Sequence, residues 1–253
     1  MKRYINLVFA AVALIAFLTG CDKKDENEIS MDVVSKGIVL VQGNDGTTYE
    51  AVDLGLMSGK CWAKCNLGAT SPEQPGYYLS WADTVLKESF RPDNYAWYDP
   101  TGESITKYCP NPEYGYHKYT DSYKKMQPED DPAKHYLGQK WSTPSYDDYN
   151  ELRTWCKFRW CKLKGQSGFL ITSTIEGYEK NSIFLPIAGV KDFDRILYGT
   201  RYGFYWTTDL REGDPTNAYI IRIMHDDGVN DLQANITHER YIGLNVRPVT
   251  KRP

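Results

Sequence analysis

The sequence predicts a single α+β domain behind an N-terminal targeting segment. Three observations carry this: one convincing amphipathic helix, many short runs that alternate with period two, and a long excursion without periodicity between them. Of the 253 residues 41% are hydrophobic, and 20 Tyr, 8 Phe and 7 Trp exclude a wholly disordered chain.

The first element is the targeting segment. Met1-Lys2-Arg3 is positive, Leu7 to Leu18 is apolar, and the stretch ends in Leu18-Thr19-Gly20-Cys21. At about 12 apolar residues it is too short to span a bilayer and reads as a cleavable signal. A small residue before a cysteine at this distance resembles the bacterial lipoprotein lipobox. That resemblance implies removal of residues 1–20 and acylation of Cys21, which makes outer-membrane lipid a partner through Cys21. Residues 21–36 are expected to be a solvated tether, because Asp22 to Glu28 holds no apolar residue. Its acidic cluster resembles the surface-export signal of Bacteroidetes lipoproteins, which implies an anchor facing the cell exterior.

Losing Lys2 and Arg3 leaves 28 basic and 33 acidic residues, a net charge of −5. No basic patch stands out, so no nucleic-acid partner is expected. Five cysteines remain beyond Cys21: Cys61, Cys65, Cys109, Cys156 and Cys161. An odd number admits at most two disulfides in an oxidising compartment, and no Cys or His spacing completes a zinc set. Disulfides or small buried apolar groups are expected, with the pairing open.

The domain proper is expected over residues 37–253. Gly37 to Gln42 is a β-branched run, Asn44-Asp45-Gly46 is a tight-turn signal, and Thr47 to Leu54 returns as a strand. Trp62 to Asn66 and Tyr77 to Trp81 add two short strands. Residues 86–138 are rich in Tyr, Pro, Asp, Lys and Gly and read as a long surface excursion. Ser145 to Phe158 is the helix, capped by Ser145 with Asp148 completing a capping box. Tyr146, Tyr149, Leu152 and Cys156 mark its buried face. Phe169 to Ile175, Ser182 to Leu185, Gly203 to Thr207, Ala218 to His225 and Tyr241 to Val249 then read as strands.

Several segments read together carry a resemblance. Val52-Asp53-Leu54-Gly55-Leu56 and Trp62-Ala63-Lys64-Cys65-Asn66-Leu67-Gly68 open it; Trp81-Ala82-Asp83 and Trp141-Ser142-Thr143-Pro144 follow. Ile183-Phe184-Leu185-Pro186-Ile187-Ala188-Gly189, Gly203-Phe204-Tyr205-Trp206-Thr207 and Val246-Arg247-Pro248-Val249 close it. The set resembles the Fibrobacter succinogenes major paralogous domain family over roughly residues 37–250. That resemblance implies a C-type-lectin-like fold, which hosts many functions and fixes none.

Formylglycine-generating enzymes use a similar fold with a late reactive cysteine pair, and here no cysteine follows Cys161. His117, His135, His225 and His238 are scattered, Ser145 is better read as a cap than a nucleophile, and no phosphate loop is present. No enzyme and no cofactor are expected. Asp226-Asp227-Gly228-Val229-Asn230-Asp231 offers calcium-type oxygens, but Asp-Gly between alternating runs is first a hairpin turn. Pro128-Glu129-Asp130-Asp131 reads likewise as the acidic start of a helical turn, so no metal site is expected. Asp83-Thr84-Val85 matches a short O-glycosylation pattern of Bacteroidetes secreted proteins.

What remains is recognition. In Ala218 to His225, Tyr219, Ile221 and Ile223 alternate as a core face, leaving Ile220, Arg222 and Met224 outward. From Asp231 to Tyr241 the chain turns polar, which suits a recognition surface on a rigid support. Arg222, Gln233, Asn235, His238 and Tyr241 are the candidate ligand-binding residues. The expected function is a non-catalytic surface module for a glycan or protein ligand, with a structural or assembly component of the envelope as the alternative.

Overall fold

The computed structural model describes residues 27–226 and 229–253 and has an α+β fold in which strands outweigh helices. Cys21, the acylation candidate, lies outside the described residues. The first half holds β1 (Glu28–Ile29), β2 (Ile38–Gln42), β3 (Thr48–Val52), β4 (Lys60–Ala63), α1 (Pro132–Leu137), β5 (Trp141–Ser142) and α2 (Tyr146–Trp155). The second holds β6 (Cys156–Leu163), β7 (Gln166–Ser173), β8 (Ser182–Pro186), β9 (Val190–Asp192), β10 (Arg195–Leu197), β11 (Tyr202–Leu210), β12 (Asn217–Asp226), β13 (Val229–Glu239) and β14 (Val249–Lys251). They form sheets ordered β2-β3-β4-β14-β5, β1-β6-β7-β8 and β11-β12-β13, with β9 and β10 a separate ribbon.

Local signals explain several of these. In the β2–β3 turn Asp45 accepts from the Thr47 amide at 2.9 Å, and Gly46 takes a φ of 81° that a β-carbon would strain. Helix α2 starts where the capping box requires, with Ser145 and Asp148 bonded reciprocally. It ends at Trp155, short of the expected Phe158. From Cys156 the chain alternates instead, and β6 pairs with β7 in register from Cys156 opposite Ser173 to Leu163 opposite Gln166. Lys164 (φ 48°) and Gly165 (φ 79°) make the connecting turn, a left-handed pair suited to two-residue hairpins.

The tether is shorter than expected. β1 pairs in parallel with β6, and Ile29 and Val34 are buried beside Cys161, Leu163, Leu170 and Phe184. Two apolar side chains within reach of an open strand edge are worth more packed than solvated, so the fold begins near residue 28 rather than 37.

The three-stranded sheet has a core on each side. Tyr205, Ile221, Ile223 and Leu232 face one with Trp62, Tyr149 and Phe169; Phe204, Trp206, Ala218 and Ile220 face the other with Trp81, Tyr108 and Leu244. Ile220 is therefore fully buried and not outward, because the long excursion covers the sheet face that the alternation left to solvent. The expected strands Tyr77–Trp81 and Tyr241–Val249 are mostly single bridges, Leu79 to Leu244 and Asn245 to Tyr205, as the chain threads between several partners.

Two buried guanidiniums hold this threading in place. Arg247 donates to the Asn66 side chain at 2.8 Å and to the carbonyls of Ala63, Lys64 and Phe184 at 3.0, 2.7 and 2.7 Å. Arg240 donates to the carbonyls of Tyr108, Pro215 and Lys107, within 6 Å of the rings of Trp81, Tyr95 and Tyr98. Carbonyl dipoles and ring faces do the work of a carboxylate here.

Candidate functional site

The expected site residues divide between the two faces of the β11-β12-β13 sheet. Arg222 stands opposite Gln233 and Phe204, and directly paired residues share a face. The Arg222 Nε donates to the Gln233 side chain at 3.2 Å, and its guanidinium lies 5.3 Å from the Tyr202 ring. His238 is on the same face, opposite Ala218 and 6.3 Å from the Phe204 ring, with its Nδ1 2.6 Å from Glu239. That contact holds the Glu239 carboxyl below its usual range. Tyr241 packs half-buried against the same core, and burial pushes its hydroxyl up. These four residues are engaged with their neighbours.

Asn235 is turned to the other face. Ala234 and Asn235 together stand opposite Ile221, a β-bulge between the pairs Arg222–Gln233 and Ile220–Ile236. Asn235 absorbs the extra residue with a φ of 67°, a left-handed conformation that Asn tolerates better than most residues. The bulge aims its side chain into an open cleft of about 660 Å³.

This cleft is assembled by segments remote in sequence. The first turn of α2 brings Tyr146, whose amide donates to the Asp209 carboxylate at 2.9 Å. The excursion is stitched onto β11 by the Met126 amide on the Thr208 carbonyl at 2.7 Å and the Leu210 amide on the Lys124 carbonyl at 3.0 Å. That places Lys125 2.9 Å from Asp209, whose hydrogen bond and charge hold the lysine above its ordinary range. β12 brings Tyr219, its ring centroid 5.7 Å from that of Tyr146. Arg211 closes the rim, paired with Asp214 at 3.0 Å.

The arrangement offers two aromatic rings and uncharged polar groups. The hydroxyls of Tyr146 and Tyr219 and the carboxamide of Asn235 make no hydrogen bond among the described residues, whereas Lys125, Asp209 and Arg211 are paired. The spacing of Tyr146 and Tyr219 predicts core faces for both. Both are half-buried, because each sits at the edge of its element where the core ends. No sequence signal links residues 125, 146, 209, 219 and 235; only the packing does.

The other candidates resolve as follows. Asp131 caps α1 through the Ala133 amide at 2.9 Å, and Asp130 accepts from Tyr108 and, at 2.6 Å, from Lys107. Burial and that carboxylate push the Tyr108 hydroxyl far above the phenol range. Asp83 accepts from the Val85 amide and pairs with Lys87 at 2.5 Å, with Thr84 half-buried between them. Asp227 and Gly228, the centre of the acidic cluster considered for calcium, lie outside the described residues; Asp226 and Val229 are paired. Among the described residues no three His, Cys, Asp or Glu side chains converge on one point. All five cysteines described are unbridged, and only Cys65 is not fully buried.

No protein-family model, curated protein or solved structure matches this chain.

Proposed function

We propose that this protein is a lipid-anchored, non-catalytic binding module on the exterior of an outer membrane, a lectin-like member of the Fibrobacter succinogenes major paralogous family, which takes a glycan or protein ligand. The observation that carries the reading is the cleft at Tyr146, Tyr219 and Asn235. It is open and held on a sheet with a packed core on both sides, and its one deep carboxylate, Asp209, is occupied by Lys125 and the Tyr146 amide. A preorganised cleft whose charges are already neutralised suits binding better than proton transfer.

The test has two arms. Cys21→Ser is expected to move the protein from the membrane to the soluble fraction, and the full-length protein is expected to retain ligand on a glycan and surface-protein array. Membrane partitioning of the variant would end the anchoring claim; an empty array would favour the alternative, an assembly component of the envelope. One feature favours that second reading: Phe193, Ile196, Leu197 and Tyr198 are all exposed along the β9–β10 ribbon.

A further inference from the structure

Resting on the binding-module reading, we infer that the cleft at Tyr146, Tyr219 and Asn235 takes a neutral oligosaccharide, without a metal ion. The argument begins with what is free there. Two tilted tyrosine rings 5.7 Å apart offer apolar faces with hydroxyls at their edges, and Asn235 adds a carboxamide with a donor and an acceptor. A sugar ring presents the complementary surface, a face of C–H groups with hydroxyls around its rim.

The charges argue against an anionic ligand. Lys125 is held by Asp209 at 2.9 Å and Arg211 by Asp214 at 3.0 Å, so the cations nearest the rings are neutralised by the protein itself. Lys124 and Glu212, one of each sign, also line the cleft, neither with an ion pair among the described residues. An acidic saccharide would have to break these pairs; a neutral one need not. The volume, about 660 Å³, falls inside the roughly 300–1,000 Å³ range of small-ligand clefts. The strained backbone at Asn235 is consistent with this, since the bulge is what turns that side chain from the Arg222 face to the Tyr219 face.

Calorimetry on the full-length protein in detergent tests it, with hexamers of β-linked glucose, α-linked glucose, xylose and mannose, and with polygalacturonate, at 50 and 500 mM NaCl. At least one neutral hexamer is expected to bind, to change affinity less than twofold between the two salts, and to be unaffected by chelator. Asn235→Gly, which keeps the left-handed backbone and removes the carboxamide, is expected to weaken it more than tenfold with an unchanged melting temperature; Tyr146→Ala should do the same. Binding of polygalacturonate alone, or a tenfold loss at high salt, would overturn the neutral assignment. If a hexamer binds but Arg222→Ala rather than Asn235→Gly abolishes it, the site lies on the other face: the inference fails and the binding-module reading survives. If no hexamer binds while a surface protein does, the ligand is a protein and the inference also fails.

Discussion

Individual residues carry much of the account, and they can be separated from one another. Asn235 occupies a left-handed bulge position, so Asn235→Ala is expected to cost roughly 1 kcal/mol in urea unfolding and Asn235→Gly only a few tenths. Equal effects would mean the carboxamide, not the backbone, holds the bulge. Arg247 satisfies three carbonyls and one amide with its planar fork, which a lysine cannot match. Arg247→Lys should lose at least about 2 kcal/mol through unpaired buried acceptors. The thiols give a chemical readout. Burial pushes Cys61 up to about 11 and Cys156 up to about 12, so at pH 8 both stay protonated and shielded in the folded protein. Ellman's reagent is expected to reach Cys65 first in the native state and all five of these thiols after unfolding. Fewer than five in the unfolded protein would reveal a disulfide.

At the scale of elements, the N-terminal strand is the least expected piece and the easiest to test. Burying Ile29 and Val34 contributes roughly 3–6 kcal/mol as an upper figure, so a chain starting at residue 37 should be markedly less stable than one starting at 27. Indistinguishable urea midpoints would return residues 27–36 to the tether. Helix α2 was legible because its start is encoded locally: Ser145, Asp148 and the i, i+3 apolar spacing all agree. Its end was not, since Cys156 and Phe158 fit a helix face as well as a strand edge, and only pairing with β7 decides between them. The Asn44-Asp45-Gly46 turn announced itself, whereas the Lys164-Gly165 turn did not, because lysine seldom takes a positive φ. β13 was read as a polar recognition stretch because its alternation is broken at Asn235 by the bulge.

For the whole molecule, the sequence supports the α+β class and the order of elements, while the second core and the cleft emerge only from long-range contacts. Ile220 and Tyr219 show why. Alternation assigns them to opposite faces, as they are, but it cannot say that Leu79 and Trp81 together with Tyr108 and Met126 of the excursion bury one face or that Tyr219 stands at the margin of the other. The result is a sheet clamped between two cores, with a cleft on the margin of one of them whose lining groups are already held in position. The most direct measurement is amide chemical-shift mapping of the full-length protein in detergent during titration with a bound neutral hexamer. Shifts centred on Lys125, Tyr146, Leu210, Tyr219 and Asn235 are predicted; shifts centred on Arg222, Gln233 and His238, or on Phe193 to Tyr198, would contradict the account.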